Sequence, residues 1–261
     1  MAESRRPPRC HCITLVLEEN DPLERFFAAR GWAPSDFQRE TWSAQARGTS
    51  GLVNAPTGSG KTLAVAGGPL RDAVDAPPTS PQLLWITPLK ALAGDTRRAL
   101  QALAEGCGAL QAIPASPPGK QGASAPRRAK PVPLRVGLRS GDASSAERAR
   151  ARRGADAWTV TTPESLSLLL SYGDTADSLS GLRWLVVDEW HELLGTKRGV
   201  LLQLAIARLR AMNPQLRVWG VSATLGNPDE ALAALCPDPA KPLRAHPRAV
   251  RIVDARPKPI E

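Results

Sequence analysis

Eight residues constrain this chain more than any others. Ala55-Pro56-Thr57-Gly58-Ser59-Gly60-Lys61-Thr62 follows the apolar pair Leu52-Val53 and precedes the helical run Leu63-Ala64-Val65. A strand, a glycine-rich loop and a helix in that order form a cradle for phosphate, although Ala55 stands where the usual pattern begins with glycine. Gly58 and Gly60 let backbone N–H groups close around phosphate oxygens without a Cβ in the way. The helix start adds its partial positive charge at the same point. Lys61 is expected to neutralise the β- and γ-phosphates of a nucleotide, and the Thr62 hydroxyl to ligate Mg²⁺. The loop alone leaves kinases, transporters, GTPases and motors all open. Thr57 and Ser59 complete the expected nucleotide loop.

The rest of the sequence alternates in the same rhythm. Strands are expected at Gly51–Asn54, Leu83–Thr87, Leu134–Leu138, Trp158–Thr161, Arg183–Val187, Leu216–Ser222 and Val250–Val253. Several, such as Trp184-Leu185-Val186-Val187, are apolar on both faces, which suits a parallel sheet covered by helices. Helical patterns lie between them at Ser35–Arg47, Gly60–Asp75, Leu89–Glu105, Ala143–Arg153, Pro163–Ser171, Gly199–Met212 and Pro228–Leu235. This alternation predicts an α/β fold with a doubly wound parallel sheet. Six prolines within 113–133 exclude a helix or a central strand there, so a surface loop is expected. Residues 1–20 read as an extension of unknown role, and 254–261, with Pro257 and Pro259, as a linker.

Charge narrows the class of partner. Lys and Arg exceed Asp and Glu by 34 to 25, a net +9, which favours a phosphate polymer but also fits a basic solvated surface. Arg127–Arg153 concentrates nine basic residues against Asp142 and Glu147, and a solvated helix accounts for them as well as a nucleic-acid path does. No run approaches the roughly 18 apolar residues of a membrane span, so no membrane partner is expected. Cys107 and Cys236 stand apart, and Cys10-His11-Cys12 lacks zinc-knuckle spacing, so a reducing, cytoplasmic location is expected.

A second motif restricts the chemistry. Leu185-Val186-Val187-Asp188-Glu189-Trp190-His191 sets two carboxylates directly after a buried strand. Sites on parallel sheets form at the C-terminal strand ends, where Asp188 and Lys61 can converge. Asp188 would hold the Mg²⁺, and Glu189 would orient and deprotonate an attacking water. A helix cap would explain an isolated Asp-Glu pair, but less readily one that accompanies a phosphate loop.

Asp188-Glu189-x-His191, followed by Ser222-Ala223-Thr224 after a strand, resembles the superfamily 2 DEXH-box helicases. The longer string Asp188-Glu189-Trp190-His191-Glu192-Leu193-Leu194-Gly195-Thr196-Lys197-Arg198-Gly199 is similar to the large helicase-related (Lhr) family, in particular its bacterial ligase-associated type. The resemblance spans about Leu23 to Glu261. It implies that residues 21–253 form the first RecA-like ATP-binding domain of a nucleoid-associated, DNA-repair helicase. Single-stranded DNA or an RNA/DNA hybrid would be the substrate.

The resemblance also assigns roles. Gln38 would read the adenine edge, with Phe27 or Trp32 as a stacking partner for the base. His191, Ser222 and Thr224 would couple nucleotide state to the strand grip. Thr87, Pro88 and Lys90, then Ser140, Gly141 and Asp142, then Thr162, Pro163 and Glu164 would contact nucleic acid. Each of these stretches follows an expected strand and opens an expected helix, where backbone N–H groups can meet a phosphate. An ordinary helix start explains any one of them equally well. The five tryptophans 42, 85, 158, 184 and 219 read as core.

The family's motor has a second RecA-like domain carrying arginine fingers, worth roughly 10³–10⁵ in rate in related phosphoryl transfers. No Gln-x-x-Gly-Arg-x-Gly-Arg-like segment occurs here. The chain is therefore expected to be a first motor domain, weak or inactive in ATP hydrolysis alone. Two other readings compete. A metabolic phosphate-loop kinase lacks a reason for His191 and the Ser-Ala-Thr string. A non-cycling nucleic-acid- or partner-binding module has no need of Lys61, Asp188 and Glu189 all intact, but the missing second half speaks for it, because a half-motor cannot cycle.

Overall fold

The computed structural model describes residues 21–79, 81–112, 131–223 and 225–254. The extension 1–20 with its Cys-His-Cys, most of the proline-rich stretch, Thr224 and the tail from 255 lie outside the described residues. In chain order the elements begin α1 (Pro22–Ala28), α2 (Asp36–Ala46), β1 (Gly51–Asn54), α3 (Lys61–Asp75), β2 (Leu83–Ile86) and α4 (Lys90–Gly106). A short ribbon, β3 (Leu110–Ala112) and β4 (Pro131–Pro133), leads to β5 (Val136–Arg139), α5 (Ser145–Arg152), β6 (Trp158–Thr161), α6 (Pro163–Leu170) and α7 (Thr175–Ser178). Then come β7 (Trp184–Val187), a 3₁₀ turn (Trp190–Glu192), α8 (Lys197–Met212), β8 (Arg217–Ser222), α9 (Pro228–Leu235), β9 (Pro237–Asp238), β10 (Lys241–Ala245) and β11 (Val250–Val253).

Seven strands form one sheet in the order β11-β1-β8-β7-β2-β6-β5, with every neighbouring pair parallel. The side-chain period of two sorts each strand onto two cores. Val53, Trp85, Val186 and Trp219 pack with Leu23, Trp42, Leu70 and Leu100 from α1 to α4. Leu52, Leu84, Leu185, Val187 and Val218 face the other way, onto Leu166 of α6, Leu202 and Ile206 of α8 and Leu235 of α9. Helices thus cover both faces, as the doubly apolar strands require.

The five tryptophans expected in the core are fully buried, and Trp190 joins them. A buried indole N–H needs an acceptor, and each of the six has one. Trp42 donates to Leu63 O, Trp85 to Asp188 Oδ2, Trp158 to Gln82 Oε1, Trp184 to Asp72 Oδ2, Trp190 to Ala231 O and Trp219 to Thr49 O.

The proline-rich stretch differs from the expectation at its end. Pro131–Pro133 pairs antiparallel with Leu110–Ala112 rather than running on as loop. Proline is tolerated in this small ribbon because it lies outside the central sheet, and Val132 between the prolines keeps an N–H. Cys107 and Cys236 are buried free thiols; burial pushes Cys107 up to about 12 and raises Cys236 too. No helix among the described residues is long and apolar enough to cross a membrane.

Candidate functional site

Parallel strands bring their C-terminal ends to one edge, so the sheet order lays the candidate residues out in a row. Ala55 follows β1, Ser222 ends β8, Asp188 follows β7, Thr87 follows β2, Thr162 follows β6 and Ser140 follows β5. Apart from Gln38 on α2, the expected nucleotide and coupling residues among those described therefore lie at or just after the ends of β1, β8 and β7. The expected nucleic-acid residues occupy β2, β6 and β5 beside them.

At the nucleotide end, Gly58 and Gly60 have φ of 79° and 90°, the left-handed region that glycine enters freely. Lys61 opens α3 and is largely buried, its Nζ donating to the carbonyls of Ala55 at 2.9 Å and Pro56 at 3.1 Å. Burial pulls its ammonium below the ordinary 10.5, while the charges of Glu189 and Asp188 pull it back up. The Ala55 N–H donates to Ser222 O at 3.1 Å, tying the loop to the end of β8.

Asp188 accepts from the Glu189 N–H at 3.0 Å and from Trp85 Nε1 at 3.4 Å. Burial and then the Glu189 charge push its carboxyl above the ordinary 3.8. A cation would relieve that penalty, and an Asp carboxylate with a Thr hydroxyl is the oxygen donor set Mg²⁺ takes alongside phosphate. Among the described residues no group of three His, Cys, Asp or Glu side chains is arranged to hold a metal by itself.

Glu189 has φ 42° and ψ 51°, the only positive φ at a non-glycine among the described residues. That conformation costs about 1–3 kcal/mol and recurs where function demands it. It turns the chain at once into the 3₁₀ turn, where Trp190 anchors against α9 through its 2.9 Å bond to Ala231 O. Glu189 Oε2 is buried without a hydrogen-bond donor, 3.4 Å from His191 Nδ1. The same Nδ1 lies 3.0 Å from Ser222 Oγ, and Nε2 lies 3.3 Å from Glu192 Oε1. Glu189, His191 and Ser222 are thus brought into one cluster; their partner Thr224 lies outside the described residues.

Two expectations meet a different geometry. Gln38 is 3% exposed, its oxygen accepting from the Ser35 N–H at 2.8 Å and its nitrogen donating to Gly60 O at 3.1 Å. In this structure the amide serves as a tie between the N-terminus of α2 and the phosphate loop rather than as a free edge for a base. Of the two stacking candidates, Phe27 is core, edge-on to Trp32 and Trp42, and Trp32 is the exposed one.

Along the other half of the row, Lys90, Gly141, Asp142 and Glu164 are exposed, whereas Thr87, Pro88, Ser140, Thr162 and Pro163 are buried. Thr162 caps α6, its Oγ1 accepting from the Ser165 N–H. Ser140–Asp142 stay in the loop, since α5 begins later with Ser144 as its cap. The buried members shape the loops, and the exposed ones present the surface. Among the described residues of the basic stretch, Arg150 and Arg135 meet buried Asp156 at 2.7 and 3.2 Å, and Arg152 meets Asp174 at the surface at 3.1 Å. From sequence, Lys197 and Arg198 read equally as nucleic-acid contacts or as exposed charge; the structure joins Arg198 to Glu164 and to the Pro88 carbonyl.

Comparison with known proteins shows the family. The family model for the DEAD/DEAH box helicase matches residues 35–231. The Lhr helicase/probable uracil glycosylase of Mycolicibacterium smegmatis is 37% identical over 243 residues, 85% of this chain. The Lhr helicase/uracil glycosylase of Escherichia coli is 34% identical over 251 residues, 87% of this chain. The chain spans only 15% of either relative's length. Among solved structures, Mycobacterium smegmatis helicase Lhr bound to ssDNA and AMP-PNP matches with a TM-score of 0.70 and 31% identity, covering 89% of this chain and 27% of that one. A phosphate loop, an Asp-Glu-x-His box and a seven-stranded RecA-like sheet thus occur together in a chain of matching sequence, and the chain belongs to the DEAD/DEAH box helicase family, among the Lhr helicases.

Proposed function

We propose that this chain works as the first motor domain of an ATP-dependent helicase, residues 21–253 binding ATP·Mg²⁺ and single-stranded nucleic acid. The observation that carries the reading is the single row of strand ends, with Lys61, Asp188, Glu189 and His191 on one half and Lys90 and Glu164 on the other. In this reading Thr57, Gly58, Ser59 and Gly60 wrap the triphosphate with backbone N–H groups. Lys61 leaves its two loop carbonyls for the β- and γ-phosphates, where its positive charge is needed. Thr62 and Asp188 hold Mg²⁺, which neutralises phosphate charge when bound. Glu189, with a buried oxygen that lacks a donor, takes the proton of an attacking water. The solved Lhr relative is bound to ssDNA and AMP-PNP, and that pairing supports the same two ligands here.

Turnover in this reading needs a second RecA-like domain to supply positive charge to the transferring phosphoryl group. A role in DNA repair is part of the same proposal, supported by two relatives whose names join a helicase to a uracil glycosylase. The test is ATP hydrolysis with and without single-stranded DNA, on this chain alone and on the same chain carrying a second RecA-like domain. Little turnover is expected alone, DNA-stimulated turnover with the second domain, and none after Glu189→Gln. Equal turnover by the single domain would overturn the half-motor. Silence in both proteins would leave a non-cycling binding module as the better description.

A further inference from the structure

Arg198 lies in the same string as the acidic box, at the second position of α8. The start of that helix is rigidly placed. Thr196 caps it through the Gly199 N–H at 3.1 Å, and a Cβ on Gly199 would stand 2.0 Å from Leu193 O. The turn that follows Asp188-Glu189 therefore sets where Arg198 begins.

From there the guanidinium reaches two segments distant in sequence, the loop at Pro88 and the first turn of α6. Its Nη2 donates to Pro88 O at 2.8 Å, behind β2, and to Glu164 Oε2 at 3.2 Å, behind β6, while Nε bonds Glu164 Oε1. The fork-on-fork contact holds the Glu164 carboxyl below its ordinary range and raises the Arg198 guanidinium. Immediately past Pro88, Lys90 opens α4, and its Nζ lies 3.0 Å from where a Cβ on Gly141 would stand, at the loop after β5. One arginine thus braces the β2 loop and the first turn of α6, and Lys90 carries the same row onward to β5.

We propose that Arg198 is a positioning residue for nucleic-acid binding: it holds the Pro88 loop and the first turn of α6 at Glu164 in one register so that Lys90 meets the sugar-phosphate strand, without itself contacting phosphate. This rests on the reading of the strand-end row as a nucleic-acid grip. Glu164 already neutralises the guanidinium, and Nη2 also serves the Pro88 carbonyl, so a phosphate would approach a paired charge rather than a free cation. Arg198 and Glu164 side chains are 40% and 47% exposed, and such pairs add little to global stability. Removing the pair should therefore register in binding more than in melting.

The experiment measures binding of a fluorescent oligothymidylate to the 261-residue chain across a salt series. The variants are Arg198→Ala, Lys90→Ala, Glu164→Ala and the Arg198/Lys90 double, with thermal melting and affinity for a fluorescent ATP analogue measured alongside. Arg198→Ala is expected to weaken oligonucleotide binding about fivefold, with nucleotide affinity unchanged. In the Lys90→Ala background, losing Arg198 should cost less than about twofold more and leave the salt slope unaltered. Glu164→Ala should also weaken binding, although it removes a negative charge. A direct phosphate contact by Arg198 gives the opposite pattern: additive losses, a slope lowered by about 0.7, and tighter binding after Glu164→Ala. That pattern, or an inert Arg198 beside an active Lys90, overturns the inference alone. An inert Lys90 overturns the inference and the nucleic-acid reading together.

Discussion

Nδ1 of His191 lies 3.0 Å from the Ser222 hydroxyl and 3.4 Å from Oε2 of Glu189, so one ring nitrogen faces both the acidic box and the end of β8. Ser222 is the ring's hydrogen-bond partner, and Glu189 Oε2, which accepts no hydrogen bond in this arrangement, lies beside it within ion-pair distance. In the two-domain protein, His191→Ala is expected to lower DNA-stimulated ATP turnover about tenfold while leaving nucleotide affinity within about twofold. Steady-state turnover and fluorescent-nucleotide titration check this. A parallel fall in nucleotide affinity would make His191 a binding residue and remove the coupling role.

Asp188 supplies a pH test. Burial and Glu189 raise its folded pKa above the ordinary 3.8, so the folded state disfavours the ionised form. Its contribution to stability is complete below the unfolded value and is lost as pH rises through the folded one. Ionised Asp188 is therefore a cost at neutral pH in the nucleotide-free protein. Asp188→Asn keeps an oxygen for the Glu189 N–H and removes the charge. The variant should melt above the parent at pH 7.5, with the gap closing as pH falls toward about 4. A variant melting lower at pH 7.5 would show that the Trp85 and Glu189 hydrogen bonds outweigh the buried charge.

Glu189 predicts an inverted ranking of two small residues. At most positions alanine is at least as stabilising as glycine, because glycine loses more chain entropy on folding. At a left-handed φ of 42° the order reverses, since Cβ costs about 1–2 kcal/mol there. Both Glu189→Gly and Glu189→Ala remove the carboxylate, so both should abolish turnover. Urea denaturation should nevertheless find the glycine variant more stable by about 1 kcal/mol. An alanine variant of equal or greater stability would mean that position 189 leaves the left-handed region in solution.

Much of this was legible in the residues. Gly51–Asn54, Trp158–Thr161, Val250–Val253 and Pro228–Leu235 occupy their expected bounds, because dense apolar runs and a proline helix start are local signals. Long-range facts were not local. The β11-β1-β8-β7-β2-β6-β5 order depends on how crossovers pack. Trp190 looks like part of a polar string until α9 arrives to bury it. Gln38 reads as a free amide until Gly60 takes its nitrogen. Arg198 finds partners 34 and 110 residues away, a separation that no periodicity encodes.

Gln45 shows the same dependence, and it can be tested by restoring what a proline removed. Pro69 lies inside α3, and without an N–H it leaves the Val65 carbonyl, four residues back, unpaired within the helix. Buried Gln45 of α2 repairs the gap: Nε2 donates to Val65 O at 2.9 Å and Oε1 accepts from the Gly68 N–H at 2.8 Å. Gln45→Leu keeps the volume but strands the buried Val65 carbonyl and removes the acceptor on the Gly68 N–H, a loss of about 1–3 kcal/mol for the stranded group. A melting point lower by roughly 5–10 °C is the expected result in a chain of this size. Pro69→Ala in that background returns an N–H to Val65 and should recover part of the loss. In the parent background it should gain little, because Val65 is already satisfied. The sign of that coupling decides the matter: two additive changes would mean that Gln45 does not stand in for the missing proline N–H.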